Sequence, residues 1–165
     1  MKVEVLGNVQ DGGVPHLGCS CEVCEAARED PRKQKYVGAL LVKENNEEGS
    51  VRYLIDATPD IRYQIKGDYL DGVFISHGHL GHIDGLLFFG TEALDTDGLA
   101  VHCSQDMSNF IMNNDPYRLL IDRGNIQLHE FSEGDEVEVQ GGSIQPRETL
   151  HSHVNTDTSS FMIQG

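Results

Sequence analysis

The run Ser76-His77-Gly78-His79-Leu80-Gly81-His82-Ile83-Asp84-Gly85 sets three imidazoles within six residues. Neutral imidazole is the commonest protein ligand for zinc and related divalent metals. The run follows Asp71-Gly72-Val73-Phe74-Ile75, which reads as a short buried strand. Residues two apart in an extended segment point the same way, so His77 and His79 can grip one ion from one side. His82 comes after a glycine, where the chain turns into an expected helix, Ile83–Phe89. It approaches from a different direction and is a candidate for a second ion. A single loop histidine is usually just solvated; three at this spacing, at a strand end, point to metal.

The cysteines give a second motif. Gly18-Cys19-Ser20-Cys21-Glu22-Val23-Cys24 presents three thiols at C-x-C-x-x-C spacing. A short turn can bring three sulfurs to one ion, and structural zinc takes four ligands. Cys19, Cys21 and Cys24 are therefore read as a structural zinc site rather than as disulfide partners. The fourth ligand must come from elsewhere, with His16 and Cys103 as candidates. Cys103 lies in the strand-like Leu99-Ala100-Val101-His102-Cys103 and reads better as a small buried hydrophobe.

Elements to position these groups follow from the apolar patterning. Strands are expected at Lys2–Leu6, Gly38–Lys43, Val51–Asp56, Gly72–Ser76, Leu99–His102, Ile126–His129, Glu136–Val139, Ser143–Thr149 and Ser160–Ile163. The polar stretch Glu44–Gly49 reads as a hairpin loop. Helices are expected at Glu22–Arg28, at Pro59–Lys66 with Thr58 as its N-cap, at Ile83–Phe89 with a possible run to Leu94, and at Gln105–Asn113. Strands dominate and helices fall between hairpins. That pattern favours an α+β fold, sheet on sheet with helices outside, over a doubly wound parallel sheet.

Composition bounds the function. The 165 residues suit one domain, with 38% apolar content and a formal charge of −15 from 27 acidic and 12 basic residues. Such a surface repels phosphate backbones, so no nucleic-acid partner is expected. No apolar run approaches the ~20 residues of a membrane span. Met1–Gly7 reads as a strand and not as the apolar core of a signal peptide, which makes a cytoplasmic location the expectation.

The histidine spacing resembles the H-x-H-x-D-H signature of the metallo-β-lactamase-fold hydrolases, with Gly81 at the acidic position. In most of that superfamily the aspartate ligates a second metal. Asp84 lies three residues on and shares a helix face with position 81, so it is a candidate replacement. Its competing role is an acid in a helix first turn. Further segments narrow the resemblance: Leu6–Pro15, the cysteine triplet, Leu54-Ile55-Asp56-Ala57-Thr58-Pro59-Asp60-Ile61-Arg62, Asn113-Asn114-Asp115-Pro116-Tyr117 and Arg123-Gly124-Asn125-Ile126. In this order, over almost the whole chain, they look like the coenzyme PQQ synthesis protein B family and its relatives, in which the motif's aspartate is often missing.

The resemblance implies a metallo-β-lactamase-type αββα sandwich, an active site where the sheets meet at one end, and a cysteine-held zinc distinct from the active-site metal. It also implies a later histidine ligand shortly before a hydrophobic strand. His151 takes that place in Leu150-His151-Ser152-His153, with His153 as the near alternative. Family members run well beyond this length, and their second half supplies a bridging acid and a final histidine. A single domain over 1–165, incomplete at its C-terminal side, is therefore expected, with an exposed sheet edge and a homo-oligomer in prospect.

The resulting expectation is a metallo-hydrolase in which His77, His79 and His151 hold zinc or iron(II), with water as nucleophile and a small molecule as substrate. His82 would hold a second, weaker ion or orient water or substrate, so His82 and Asp84 are the catalytic candidates. Asp56 is expected either to orient a ligand imidazole or to cap a turn. The alternatives are a phosphodiesterase acting on a small cyclic or nucleotide-like substrate, and a metal-binding fragment without activity.

Overall fold

The structure, a computed structural model, describes residues 1–46, 49–66, 69–151 and 156–165. The first three strands form a meander. β1 (Lys2–Gly7) pairs antiparallel with β2 (Ala39–Asn46), which pairs antiparallel with β3 (Gly49–Ile55). The tip of the expected Glu44–Gly49 loop, residues 47 and 48, lies outside the described residues, and pairing extends to Asn46 opposite Gly49. The order along this sheet continues to β4 (Gly72–Phe74), β5 (Leu99–Ser104) and β6 (Ile126–Phe131), all parallel to β3.

That parallel half departs from the hairpin pattern expected of the sequence. Each parallel step requires a crossover, and helices supply it. α2 (Ile61–Gln64) joins β3 to β4, and α3 (Leu80–Ile83) with a following 3₁₀ turn, Asp84–Phe89, joins β4 to β5. α4 (Gln105–Asn113) and α5 (Asp115–Asp122) join β5 to β6. Near the N-terminus, α1 (Glu22–Glu29) begins within the cysteine triplet. A smaller antiparallel sheet consists of β7 (Val137–Val139), β8 (Gly142–Glu148) and β9 (Ser159–Gln164).

Alternation along the strands divides the core in two. Leu54, Val73, Ile75, Val101, Cys103 and Ile126 face the helices, where they meet Ile61, Ile83, Leu86, Phe89, Met107 and Ile111. Ile55, Phe74 and Phe131 face the smaller sheet and pack with Ile144, Phe161 and Ile163. None of the described helices falls between β7 and β9. Three layers of the expected sandwich, helix–sheet–sheet, are therefore seen among the described residues.

Three local differences from the sequence expectations have physical causes. α2 starts at Ile61 because the Thr58 hydroxyl accepts the Asp60 N–H at 3.1 Å and is itself tied to Gln64, so the Thr58–Asp60 turn precedes the helix. The helix after the histidines starts earlier, at Leu80, and tightens to 3₁₀ at Asp84. Gly85 explains the close fit there: a Cβ at this position would lie 2.3 Å from the Thr58 carbonyl oxygen. α5 is an additional element, with Pro116 in its first turn and Tyr117 and Leu120 buried.

Candidate metal centre

The carboxyl ends of two parallel strands carry the site, where open α/β sheets commonly hold ligands. β3 ends at Ile55 and is followed by Asp56; β4 ends at Phe74 and is followed by Ser76 and His77. Asp56 adopts a left-handed backbone, φ 65°, a region more accessible to Asp than to most residues. This turn aims its carboxylate at the neighbouring loop. Oδ1 accepts the Ser76 N–H at 2.8 Å, while Oδ2 accepts the Ser76 hydroxyl at 2.9 Å and the His82 Nδ1–H at 2.7 Å.

These bonds set the imidazole tautomers. A carboxylate only accepts, so the Ser76 hydroxyl gives its one proton to Asp56 and must accept from the His77 Nδ1–H, 2.8 Å away. The Nε2 lone pair of His77 is thereby left for the site. His82 likewise donates through Nδ1 and is left with Nε2. Burial, with smaller contributions from neighbouring histidines, pushes the His77 pKa down to about 4, so the ring is neutral at neutral pH. For His82, burial also works against the charged form, but Asp56 and then Asp11 outweigh it and raise the pKa.

His77, His79 and His151 converge. His77 Nε2 lies 2.7 Å from His79 Nδ1, which lies 3.2 Å from His151 Nε2. The three candidate ligand atoms fall within 4.8 Å of one another. Donors bound tetrahedrally to one zinc at about 2.05 Å sit about 3.3 Å apart, so the set fits such an ion. His151 is brought here by contacts between the segment ahead of β9 and the histidine loop. The Thr156 hydroxyl accepts the buried Gly78 N–H at 2.9 Å, and the Ser159 N–H donates to the Ser76 carbonyl at 2.9 Å. His153, the alternative ligand, lies outside the described residues.

His82 stands beside this group rather than in it, its ring centroid 4.3 Å from that of His77. Asp84 is placed elsewhere: its carboxylate accepts the Tyr117 hydroxyl, and it does not line the histidine cavity. That cavity, of about 800 Å³, is bordered by the four histidines and by Asp11 and His16 from the loop after β1. Sequence reasoning passes over Asp11, which has no motif spacing to any histidine. Its Oδ1 lies 3.5 Å from His82 Nε2.

Cys19, Cys21 and Cys24 also converge, with ligand atoms within 4.8 Å of one another. The Cys24 N–H and then the neighbouring thiols lower the Cys21 pKa to about 7, so a thiolate is accessible near neutrality. For Cys24, the His16 N–H that reaches its sulfur at 3.3 Å favours the thiolate, but burial and the two other sulfurs outweigh it and raise the pKa. Neither candidate fourth ligand belongs to this group. The His16 Nδ1 lies 2.8 Å from the Leu17 carbonyl, and its ring borders the histidine cavity. Cys103 is wholly buried in the core, and burial raises its pKa to about 12.

No helix among the described residues is long and apolar enough to cross a membrane. The beta-lactamase superfamily domain matches residues 51–165. A coenzyme PQQ synthesis protein B from Rhodopseudomonas palustris is 33% identical over 100 residues, covering 53% of this chain and 32% of that protein. An octanoyltransferase from Porphyromonas gingivalis is 32% identical over 127 residues, covering 71% of this chain and 25% of that protein. The chain thus spans about a third or less of the length of these relatives.

Two solved structures share the fold at low identity. Zinc-bound PqqB from Methylobacterium extorquens superposes with TM-score 0.79 at 20% identity, over 98% of this chain and 61% of that one. A diphosphatase of the PhnP family superposes with TM-score 0.74 at 22% identity, over 98% and 61%. With the superfamily domain matched over most of its length and the same fold built around a histidine-bearing strand end, the chain belongs to the metallo-β-lactamase superfamily, with distant relatives among the PqqB proteins.

Proposed function

We propose that this chain is a metal-dependent hydrolase of a small molecule, with His77, His79 and His151 as the ligands of its zinc or iron(II) ion. The observation that carries the proposal is the convergence of three imidazole nitrogens at the edge of an open cavity. When bound there, the ion supplies a Lewis acid and lowers the pKa of a coordinated water to about 7. The chain's residues prepare that position. Asp56 fixes the His77 tautomer through Ser76 and holds His82 directly, so both rings enter with their orientation already set. His82 borders the same cavity and can receive or release a proton at Nε2. The cysteine group has the donor chemistry of a structural zinc site, and its Cys24 sulfur accepts the His16 N–H from the loop that carries Asp11 and His16.

A small substrate suits the acidic surface better than nucleic acid does, since the formal charge of −15 repels a long polyanion. The similarity to PQQ synthesis protein B supports a biosynthetic substrate, while the likeness to a diphosphatase keeps phosphoesters among the compounds to try. The test is a panel of phosphodiesters, thioesters and lactones, offered to the zinc- and iron(II)-loaded chain. Turnover lost in His79→Ala is expected. An ion held at the histidines with no turnover of any substrate class would favour a binding protein instead. Failure of His79→Ala and His151→Ala to weaken metal binding would remove the site itself.

A further inference from the structure

We propose that Asp11 is the carboxylate ligand that the histidine run lacks at Gly81, and that with His82 it forms a second cation position beside the first. The inference rests on the metal-site reading of His77, His79 and His151. Its starting point is the space around Gly81, which is buried. A Cβ built there would lie 2.5 Å from Asp11 Cγ, 2.6 Å from its Oδ1 and 2.8 Å from its Cβ. The Asp11 side chain therefore fills the volume that a side chain at position 81 would claim. Asp11 at its present place and any side chain at 81 exclude each other. The glycine is the counterpart of an acid delivered from another part of the chain.

The delivered carboxylate is suitably aimed. Asp11 Oδ1 is 3.5 Å from His82 Nε2, close to the separation of about 3.3 Å that two donors on one ion keep. The other His82 nitrogen is taken by Asp56, so Nε2 is the one left to ligate. Asp11 borders the same cavity as the three converging histidines, and its partner His82 has its ring centroid 4.3 Å from that of His77. Asp84, the sequence-based replacement, is engaged by Tyr117.

The loop that brings Asp11 is fixed on both sides. Before it, the Asn8 N–H donates to the Tyr36 carbonyl at 3.1 Å and the Val9 carbonyl accepts the Gly38 N–H at 2.9 Å. After it, Val14 and Lys35 exchange backbone hydrogen bonds of 3.0 and 2.9 Å. A carboxylate held this way loses little freedom on taking up an ion. The mixed carboxylate and imidazole donors suit zinc, iron(II), manganese(II) or cobalt(II).

Cobalt(II) titration of the full, metal-stripped chain tests the proposal. Thiolate charge-transfer absorption counts ions at the cysteines, visible d–d bands report nitrogen and oxygen sites, and calorimetry gives stoichiometry. Two equivalents outside the cysteines are expected. Asp11→Asn, nearly isosteric, should keep the tighter one and weaken the other tenfold or more. Asp11→Gly combined with Gly81→Asp should restore the second, whereas Gly81→Asp alone should not bind it. Two equivalents of unchanged affinity in Asp11→Asn would reduce Asp11 to an ion-pair partner of His82 and overturn the proposal. A single non-cysteine equivalent in the parent chain, lost in His79→Ala, would overturn it while leaving the hydrolase reading intact. No equivalent sensitive to His79→Ala would mean that the hydrolase reading itself had failed.

Discussion

His102 shows what a histidine does in this fold when it packs instead of binding. Its ring lies 4.4 Å from that of Phe74 at 14° from parallel, with His129 5.2 Å away. Burial, and secondarily the charge of His129, push its pKa from 6.5 down to about 4. The unfolded chain takes up this proton near pH 6.5 and the folded chain resists it until about 4. Folded-state stability is therefore complete above that window and falls as pH drops through it. The loss is at most about 3.5 kcal/mol, at about 1.4 kcal/mol per pKa unit, and solvent screening of the partly exposed ring makes it smaller. Urea melts at about pH 7 and about pH 4.5 should differ less in His102→Phe than in the parent. Equal differences would show that His102 is not a source of acid sensitivity. The contrast with His77 and His79 is legible in sequence, because their two-residue spacing at a strand end aligns them. His151 is placed only by the family resemblance, since nothing local separates it from His153. Asp11 is not legible at all: its meaning comes from a contact with position 81 that exists only after the chain has folded.

Between elements, the site depends on two junctions. The first joins the histidine loop to the end of β3, where the Ala57 N–H donates to the His82 carbonyl and the Gly85 N–H to the Ala57 carbonyl, at 2.9 and 2.8 Å. A Cβ at Gly85 would strike the backbone of Ala57 and Thr58, which cannot rotate away. Gly85→Ala should cost about 1–3 kcal/mol in chemical denaturation. A change within about 0.5 kcal/mol would mean the junction is looser than described. The second joins that loop to the segment ahead of β9 through Thr156 and the Gly78 amide. Thr156→Val keeps the shape and strands a buried N–H, an expected loss of about 1–3 kcal/mol. Thermal melts with equal midpoints for parent and variant would rule the bond out as a support. The strands in these junctions are visible in sequence because they alternate or run apolar between turn residues. α5 is not, because so short a helix depends on packing that the sequence alone does not display. Tyr117, buried there and bonded to Asp84, supplies that packing.

Over the whole molecule, strand positions follow the apolar pattern closely, but strand direction does not. Nothing in the run from β3 to β6 marks it as parallel except the helices between, and two of those are a single turn or little more. Direction matters because the parallel ends put Asp56 and His77 side by side, while the smaller sheet presents His151 from across the structure. The two candidate ion sites therefore differ in their relation to folding. Cys19, Cys21 and Cys24 are neighbours in the chain and can chelate zinc when it is unfolded, which cancels much of any stabilisation. His77, His79 and His151 meet only when both sheets are docked, so an ion there binds the folded state selectively. Zinc at about 100 times its dissociation constant should add about 2.7 kcal/mol to stability through the histidines. The zinc-dependent rise in melting temperature should vanish in His151→Ala and largely survive in Cys24→Ser. A rise that follows the cysteines and ignores His151 would show that the histidine nitrogens do not hold the ion that links the two sheets.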